Sequence, residues 1–169
     1  MTVNGGSLDN RNSGTVSSRS GNLAVTLAGA LLNGNAGALV SQKVLTVNAA
    51  SLDNSDKGII SSAQGQTLTV SGVLNNATGG SIDSGAALTL QAMTLNNGGT
   101  INAQQALTYT GTTLDNSNGT FSGSTAVTLD LLGALTNSNG KLSAQYPNKQ
   151  PGRRALQPGI VEHPDRQPG

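Results

Sequence analysis

Any catalysis by this chain of 169 residues would have to be built from carboxylates and hydroxyls, because few other reactive groups are present. There is no cysteine, which removes thiol nucleophiles, thiolate metal sites and disulfides. A single histidine, His163, lies near the C-terminus, too few for a Ser–His–Asp relay in the body of the chain or for a multi-histidine metal site. The carboxylates before residue 147 are Asp9, Asp53, Asp56, Asp83, Asp115 and Asp130. Glycoside hydrolysis needs two carboxyl groups about 5–10 Å apart with divergent pKa values. Asp9, Asp53 and Asp115 hold the same place in a repeat, one residue after a leucine. On the ~4.8 Å spacing of paired strands, Asp9 and Asp53 would stand two levels apart, about 9.6 Å, with no basic residue in that file between them. No site gathers several carboxylates for calcium, and a G-G-x-G-x-D repeat is missing. These residues predict a non-enzymatic protein without catalytic residues, metal or cofactor.

Composition narrows the partners. Charged residues make up 10% of the chain and aromatics 2%, with a formal net charge of +1. That predicts no basic face for nucleic acid, and Tyr109, Phe121 and Tyr146 are too few for a base-stacking platform. No apolar run approaches the ~18 residues of a membrane span. The opening Met1-Thr-Val-Asn-Gly-Gly has neither a basic nor an apolar region, so no signal peptide is expected there.

The order along the chain is repetitive. A leucine followed two residues later by asparagine recurs at Leu8/Asn10, Leu31/Asn33, Leu52/Asn54, Leu74/Asn76, Leu95/Asn97, Leu114/Asn116 and Leu135/Asn137, at intervals of 19 to 23 residues. In each copy a glycine then precedes an apolar residue by two positions: Gly14/Val16, Gly37/Leu39, Gly58/Ile60, Gly80/Ile82, Gly99/Ile101, Gly119/Phe121 and Gly140/Leu142. A third column alternates with period two: Leu23/Val25, Leu45/Val47, Leu68/Val70, Leu88/Leu90, Leu107/Tyr109 and Val127/Leu129. Stubs this short cannot form a sheet alone. They can pair with the same stub of the next copy if the chain coils once per repeat, which predicts an all-β parallel β-helix of about seven coils.

In this scheme Asn10, Asn33, Asn54, Asn76, Asn97, Asn116 and Asn137 form a structural ladder, each amide stacked on the next at a turn. The column glycines read as positive-φ or tight-turn positions rather than phosphate cradles. Tyr109 and Phe121 replace Val or Ile in their columns and read as core. All five prolines fall in 147–169, which places a boundary there: a repeat domain over 1–146 and a proline-rich tail over 147–169, expected to be disordered because proline cannot continue a ladder.

The phrases Ser51-Leu-Asp-Asn54, Gly80-Ser-Ile-Asp-Ser-Gly85, Ala87-Leu-Thr-Leu90 and Thr113-Leu-Asp-Asn116 resemble filamentous-haemagglutinin repeats. The resemblance covers roughly 1–146. It implies a right-handed β-helix in the shaft of a two-partner-secretion exoprotein, exported through an outer-membrane partner transporter and displayed on the cell surface. Rows of Thr, Ser and Asn side chains repeated from copy to copy can trade hydrogen bonds with sugars, which predicts host or neighbouring-cell glycans or proteins as partners held by many weak contacts. The expected function is the shaft of an adhesin, with the stalk of a contact-dependent growth-inhibition toxin and a β-helical carbohydrate-active enzyme as alternatives. The missing signal peptide and effector domain suggest an excised or truncated shaft segment. Open strand edges at the ends of the stack predict end-to-end self-association.

Overall fold

The computed structural model describes residues 1–145, and all regular structure among them is strand. The chain coils as a parallel β-solenoid. A stub of two to five residues, flanked by turns, has too few local hydrogen bonds to persist alone. Each stub instead donates and accepts along the axis, to the equivalent stub of the coils before and after.

Three stacks result. The second-column strands, Thr15–Ser18, Ala38–Ser41, Ile59–Ser62, Ser81–Ser84, Thr100–Ala103, Thr120–Gly123 and Lys141–Ala144, form a seven-stranded sheet. The third column forms a second stack: Thr2–Gly5, Leu23–Leu27, Leu45–Ala49, Gln66–Val70, Leu88–Asn96, Ala106–Asp115 and Ala126–Leu131. Its first strand lies ahead of the leucine column, with Val3 paired to Val25, so this stack also has seven members. The anchor leucines form the last stack. In the fifth and sixth coils Leu88–Asn96 and Ala106–Asp115 run unbroken through the corner between the third and first columns, which joins those two stacks into one twelve-stranded sheet.

The interior is a set of single-residue files. Leu31, Leu39, Leu74, Ile82, Leu88, Ile101 and Leu107 are all 0% exposed, and so are Leu68, Tyr109 and Phe121. Burial falls off at the last coil, where Leu135 is 46% exposed. Each fully buried Leu or Ile contributes about 1.5–3 kcal/mol of transfer free energy. Because similar apolar side chains recur at successive levels, like packs on like along most of each file.

One file departs from the column read in the sequence. Leu68 pairs with Val47 and Leu90, not with Leu45 and Leu88. The place in the leucine file falls to Gln66, which pairs with both of those leucines and is 2% exposed. Its Oε1 accepts from the Ser62 hydroxyl at 3.1 Å, while its Nε2 finds no partner among the described residues. An unpaired buried amide of this kind costs about 1–3 kcal/mol. Ser62 keeps a second bond, to Gln64 O at 2.8 Å, when Gln66 is removed. Gln66→Leu is therefore expected to stabilise the chain by about 1–3 kcal/mol, read as a raised urea midpoint with an unchanged slope. A lower midpoint would show that the amide has a partner after all.

The expected disorder and the domain boundary of the 147–169 tail concern residues outside those described.

Candidate functional site

The asparagine of each repeat ends an anchor strand and turns its side chain inward. Its backbone N–H bonds up the stack, as from Asn54 to Asn75 O at 2.7 Å and from Asn76 to Asn96 O at 2.8 Å. The side chains bond in the same direction. Asn10 Nδ2 donates to Asn33 Oδ1 at 2.7 Å, and the relay continues through Asn54, Asn76, Asn97 and Asn116 to Asn137 Oδ1, with every link at 2.7 or 2.8 Å. The second amide hydrogen is spent on backbone. Asn76 Nδ2 reaches Gly80 O at 3.2 Å and Thr100 O at 3.1 Å, and Asn54 Nδ2 reaches Gly58 O and Ser81 O in the same way. The members from Asn33 to Asn116 are at most 1% exposed, Asn10 is nearly as buried, and Asn137 is exposed at the last coil. The structure thus brings all seven asparagines into one file, and the inner amides have nothing left to offer a ligand.

The glycines that follow serve close approach, not positive φ. Among the described residues Gly79 is the one glycine at positive φ; the left-handed turn positions are otherwise Asn12, Ser13, Asn35, Ala36, Asp56, Lys57, Thr78, Asn118 and Asn139. At Gly58 an added Cβ would stand 2.5 Å from both Asn33 O and Asn54 Oδ1. At Gly80 it would press on Asn54 O and on Asn76 Oδ1, the latter at 2.6 Å. The glycine file therefore gives the amide ladder the space it occupies. The turn between asparagine and glycine holds three residues in the first four coils and only Gly98 in the fifth, which accounts for the short 19-residue interval from Leu95 to Leu114.

A second polar file lies at the far end of the second-column strands. Ser18, Ser41, Ser62 and Ser84 are buried, and the Ser41 and Ser84 hydroxyls donate to Val44 O and Ala87 O at 2.9 Å. This file is not among the columns read from the sequence, although serine two residues after the second-column apolar residue in four successive copies is its signal. In the later coils Ala103 and Gly123 replace serine, while Phe121 and Tyr109 enlarge the neighbouring files. The Tyr109 hydroxyl reaches Thr113 O at 2.9 Å and Ala92 O at 3.2 Å, and burial pushes its pKa up to about 12. Gly111 leaves room for that hydroxyl.

Asp53 and Asp56 line one surface groove together with Arg11, while Asp9, Asp53 and Asp115 share the file after the anchor leucines. In the register Asp9 lies beside Leu32, Leu32 beside Asp53, and then Asn75, Asn96 and Asp115 follow in turn. Each aspartate of this file accepts from the backbone N–H two residues on: Arg11 to Asp9 at 3.2 Å, Ser55 to Asp53 at 3.1 Å and Ser117 to Asp115 at 2.9 Å. These are Asx turns. The Arg11 side chain, bonded to both Asp9 oxygens at 2.9 and 2.7 Å, together with its backbone N–H, lowers the Asp9 pKa to about 2. Ser117, through its hydroxyl and its backbone N–H, lowers Asp115 as well. A general acid needs the opposite shift. The depressed values mean that these bonds contribute stability above the unfolded carboxylate pKa and lose it as pH falls through the folded values. The small stability difference between the parent and Asp9→Asn should shrink as pH is brought from about 5 to about 2, read as converging urea midpoints. A widening gap in acid would contradict the assigned direction.

Outside, the third stack presents one file of Thr46, Thr67, Thr89, Thr108 and Thr128, paired rung to rung. Beside it runs Asn48, Thr69, Gln91, Thr110 and Asp130. Both files are free of basic residues. No group of three or more His, Cys, Asp or Glu able to hold a metal ion occurs among the described residues.

Comparison with known proteins agrees with this geometry. The haemagglutinin repeat matches residues 1–98 and 91–139. The chain is 32% identical over 128 residues to a tRNA nuclease, CdiA-2, of Burkholderia pseudomallei strain 1026b; the match takes in 71% of this chain and 4% of that protein. The chain thus spans a small fraction of the relative's length. No solved structure matches. The matched repeat covers most of the described residues, and the chain belongs to the haemagglutinin-repeat family.

Proposed function

We propose that this chain is a length of shaft in a secreted, surface-displayed exoprotein of the two-partner-secretion type, acting by reach and display. The observation that supports this most is the continuous amide relay from Asn10 to Asn137, which ties every coil to the next through a filled interior. Repeats that contact only their neighbours suit length and stiffness, and seven coils at strand spacing give a rod about 30 Å long. In the parent protein an outer-membrane transporter would export the shaft. Host or neighbouring-cell glycans or proteins would be held by many weak contacts with the Thr, Ser and Asn files, since linked weak contacts raise avidity.

The likeness to a protein named as a tRNA nuclease favours a second reading, in which the same shaft is the stalk of a contact-dependent growth-inhibition protein and the toxin lies outside this chain. Deleting whole coils from the parent gene separates the two: loss of attachment marks the adhesin, loss of neighbour inhibition the stalk. Beads coated densely with the chain should hold cells, whereas the soluble chain binds weakly. Sub-micromolar monomer binding abolished by one substitution would replace the shaft reading with a discrete receptor site. Cleavage of uronate polysaccharides, lost in Asp53→Asn, would replace it with an enzyme.

Among the described residues the strands Thr2–Gly5, Leu8–Asp9 and Thr15–Ser18 each have a single sheet neighbour, leaving one edge open. A 1–146 fragment is expected to associate end to end. Sedimentation as a monomer at every concentration would contradict this.

A further inference from the structure

We infer that a groove at the corner between the third and first stacks is a subsite for a neutral sugar ring, a hexose or N-acetylhexosamine unit of a longer glycan. This rests on the display reading above and assigns it a place. The groove, of about 340 Å³, crosses adjacent coils; its floor is Ala92 and Gly111, and one side is Met93, 60% exposed, with Leu132 beyond it. The other side is the outer file Gln91, Thr110 and Asp130, each exposed. Its volume lies at the small end of the roughly 300–1,000 Å³ typical of ligand sites.

Sugar recognition needs two things at once: an apolar platform for the C–H face of the ring, and amide, hydroxyl or carboxylate groups beside it for the ring hydroxyls. The groove has both. Met93, Ala92 and Leu132 supply the first, and Gln91, Thr110 and Asp130 the second. The inner amides of the asparagine ladder are spent on one another and on backbone, whereas the Gln91, Thr110, Thr112 and Asp130 side chains that line the groove make no hydrogen bond within the described residues and are free to bond a ligand there. Charge selects the ligand. Among the described residues of the lining Asp130 is the one ionisable group, and its charge repels uronates, sulfated sugars and phosphates. Gln91 can pair both ends of its amide with an acetamido group while the acetyl methyl rests on Met93. The threonine file that leads along the rod from this corner would extend the contact to further sugar units.

The chain has two methionines, Met1 and Met93, so methyl labelling of methionine gives a reporter inside the groove and one outside it. The full chain is titrated with triacetylchitotriose and, separately, with trigalacturonate, following both methyl signals and saturation transfer to the sugar. The expected result is a saturable shift of the Met93 methyl alone with the neutral sugar, at about millimolar affinity, and none with the anionic one. Gln91→Ala and Thr110→Val should each weaken binding roughly three- to tenfold, about the loss of one hydrogen bond, while Thr100→Ala on the seven-stranded sheet leaves it unchanged. Saturation transfer to the sugar with an unmoved Met93 would overturn the subsite and leave glycan binding by other faces standing. No transfer to either sugar would overturn the subsite and remove this support for glycan display. Tighter binding of trigalacturonate would overturn the charge argument.

Discussion

Replacing Asn76 by Asp should unfold the middle of the rod at neutral pH and spare it in acid. The side chain is 0% exposed, and its Nδ2 donates to Asn97 Oδ1, Gly80 O and Thr100 O. A carboxylate there would set an anionic oxygen against three oxygens that have lost their donor. Only Asn54 Nδ2, which donates to Asn76 Oδ1 at 2.8 Å, would still be matched. Uncompensated burial of a charge and orphaning of acceptors together cost several kcal/mol, and about 5 kcal/mol is the expected loss near pH 7. Burial and these oxygens would raise the folded pKa of the new carboxyl above its unfolded value of about 3.9. A raised folded pKa means that the protonated form is favoured in the fold, so below about pH 4 only the cost of the acceptors that one O–H cannot serve remains, and the loss grows as pH rises toward the folded pKa. Urea unfolding of the variant at a series of pH values checks this. A loss independent of pH would mean that the side chain is not enclosed by oxygens.

Gly80→Ala should be nearly as damaging, at about 3–4 kcal/mol. Alanine is ordinarily a milder strand residue than glycine, and Gly80 is not at positive φ, so backbone preference alone would make the change favourable. The loss comes from space. The new methyl would press on Asn54 O and Asn76 Oδ1, which belong to the backbone and to a fully bonded side chain and cannot swing aside. Gly65→Ala is the internal control, because its Cβ would meet only Ala87 O at 3.8 Å. Thermal unfolding of the two variants should differ by many degrees. Equal melting would show that the coils are looser at the ladder than this packing requires.

The columns of the rod could be read in the sequence because each structural level repeats the same residue types. Leu–x–Asn, Gly–x–apolar and apolar–x–apolar each mark one strand stack. What escaped was register within the third column. Side chains alternate with period two, so a slip of two residues leaves every inward residue inward, and Leu68/Val70 looked as good a match to Leu45/Val47 as Gln66/Leu68. The arbiter was a constant distance: Leu45, Gln66, Leu88 and Leu107 each follow their second-column residue by six positions. The first strand of that stack escaped for a similar reason, since Thr2-Val-Asn-Gly5 offers Val3 as its only large apolar residue. The part played by the glycines also lay beyond the sequence. A positive-φ glycine and a close-approach glycine look identical there, and only the carbonyl above Gly58 or Gly80 separates them.

Function was legible as far as the family and no further, because a shaft is made of residues chosen for stacking. Of the two outer files of the third stack, one repeats threonine at five levels, and the other varies through Asn48, Thr69, Gln91, Thr110 and Asp130.

The central claim is that one buried, fully bonded file of asparagine amides holds the coils together. Hydrogen exchange of the asparagine side-chain amides, followed by ¹⁵N NMR, tests it most directly. The account predicts that the Nδ2 protons of Asn33, Asn54, Asn76, Asn97 and Asn116 exchange at least roughly a thousandfold more slowly than those of exposed asparagines, as groups released only by opening of the stack. Exchange of those five at the rate of exposed Asn118 would contradict it.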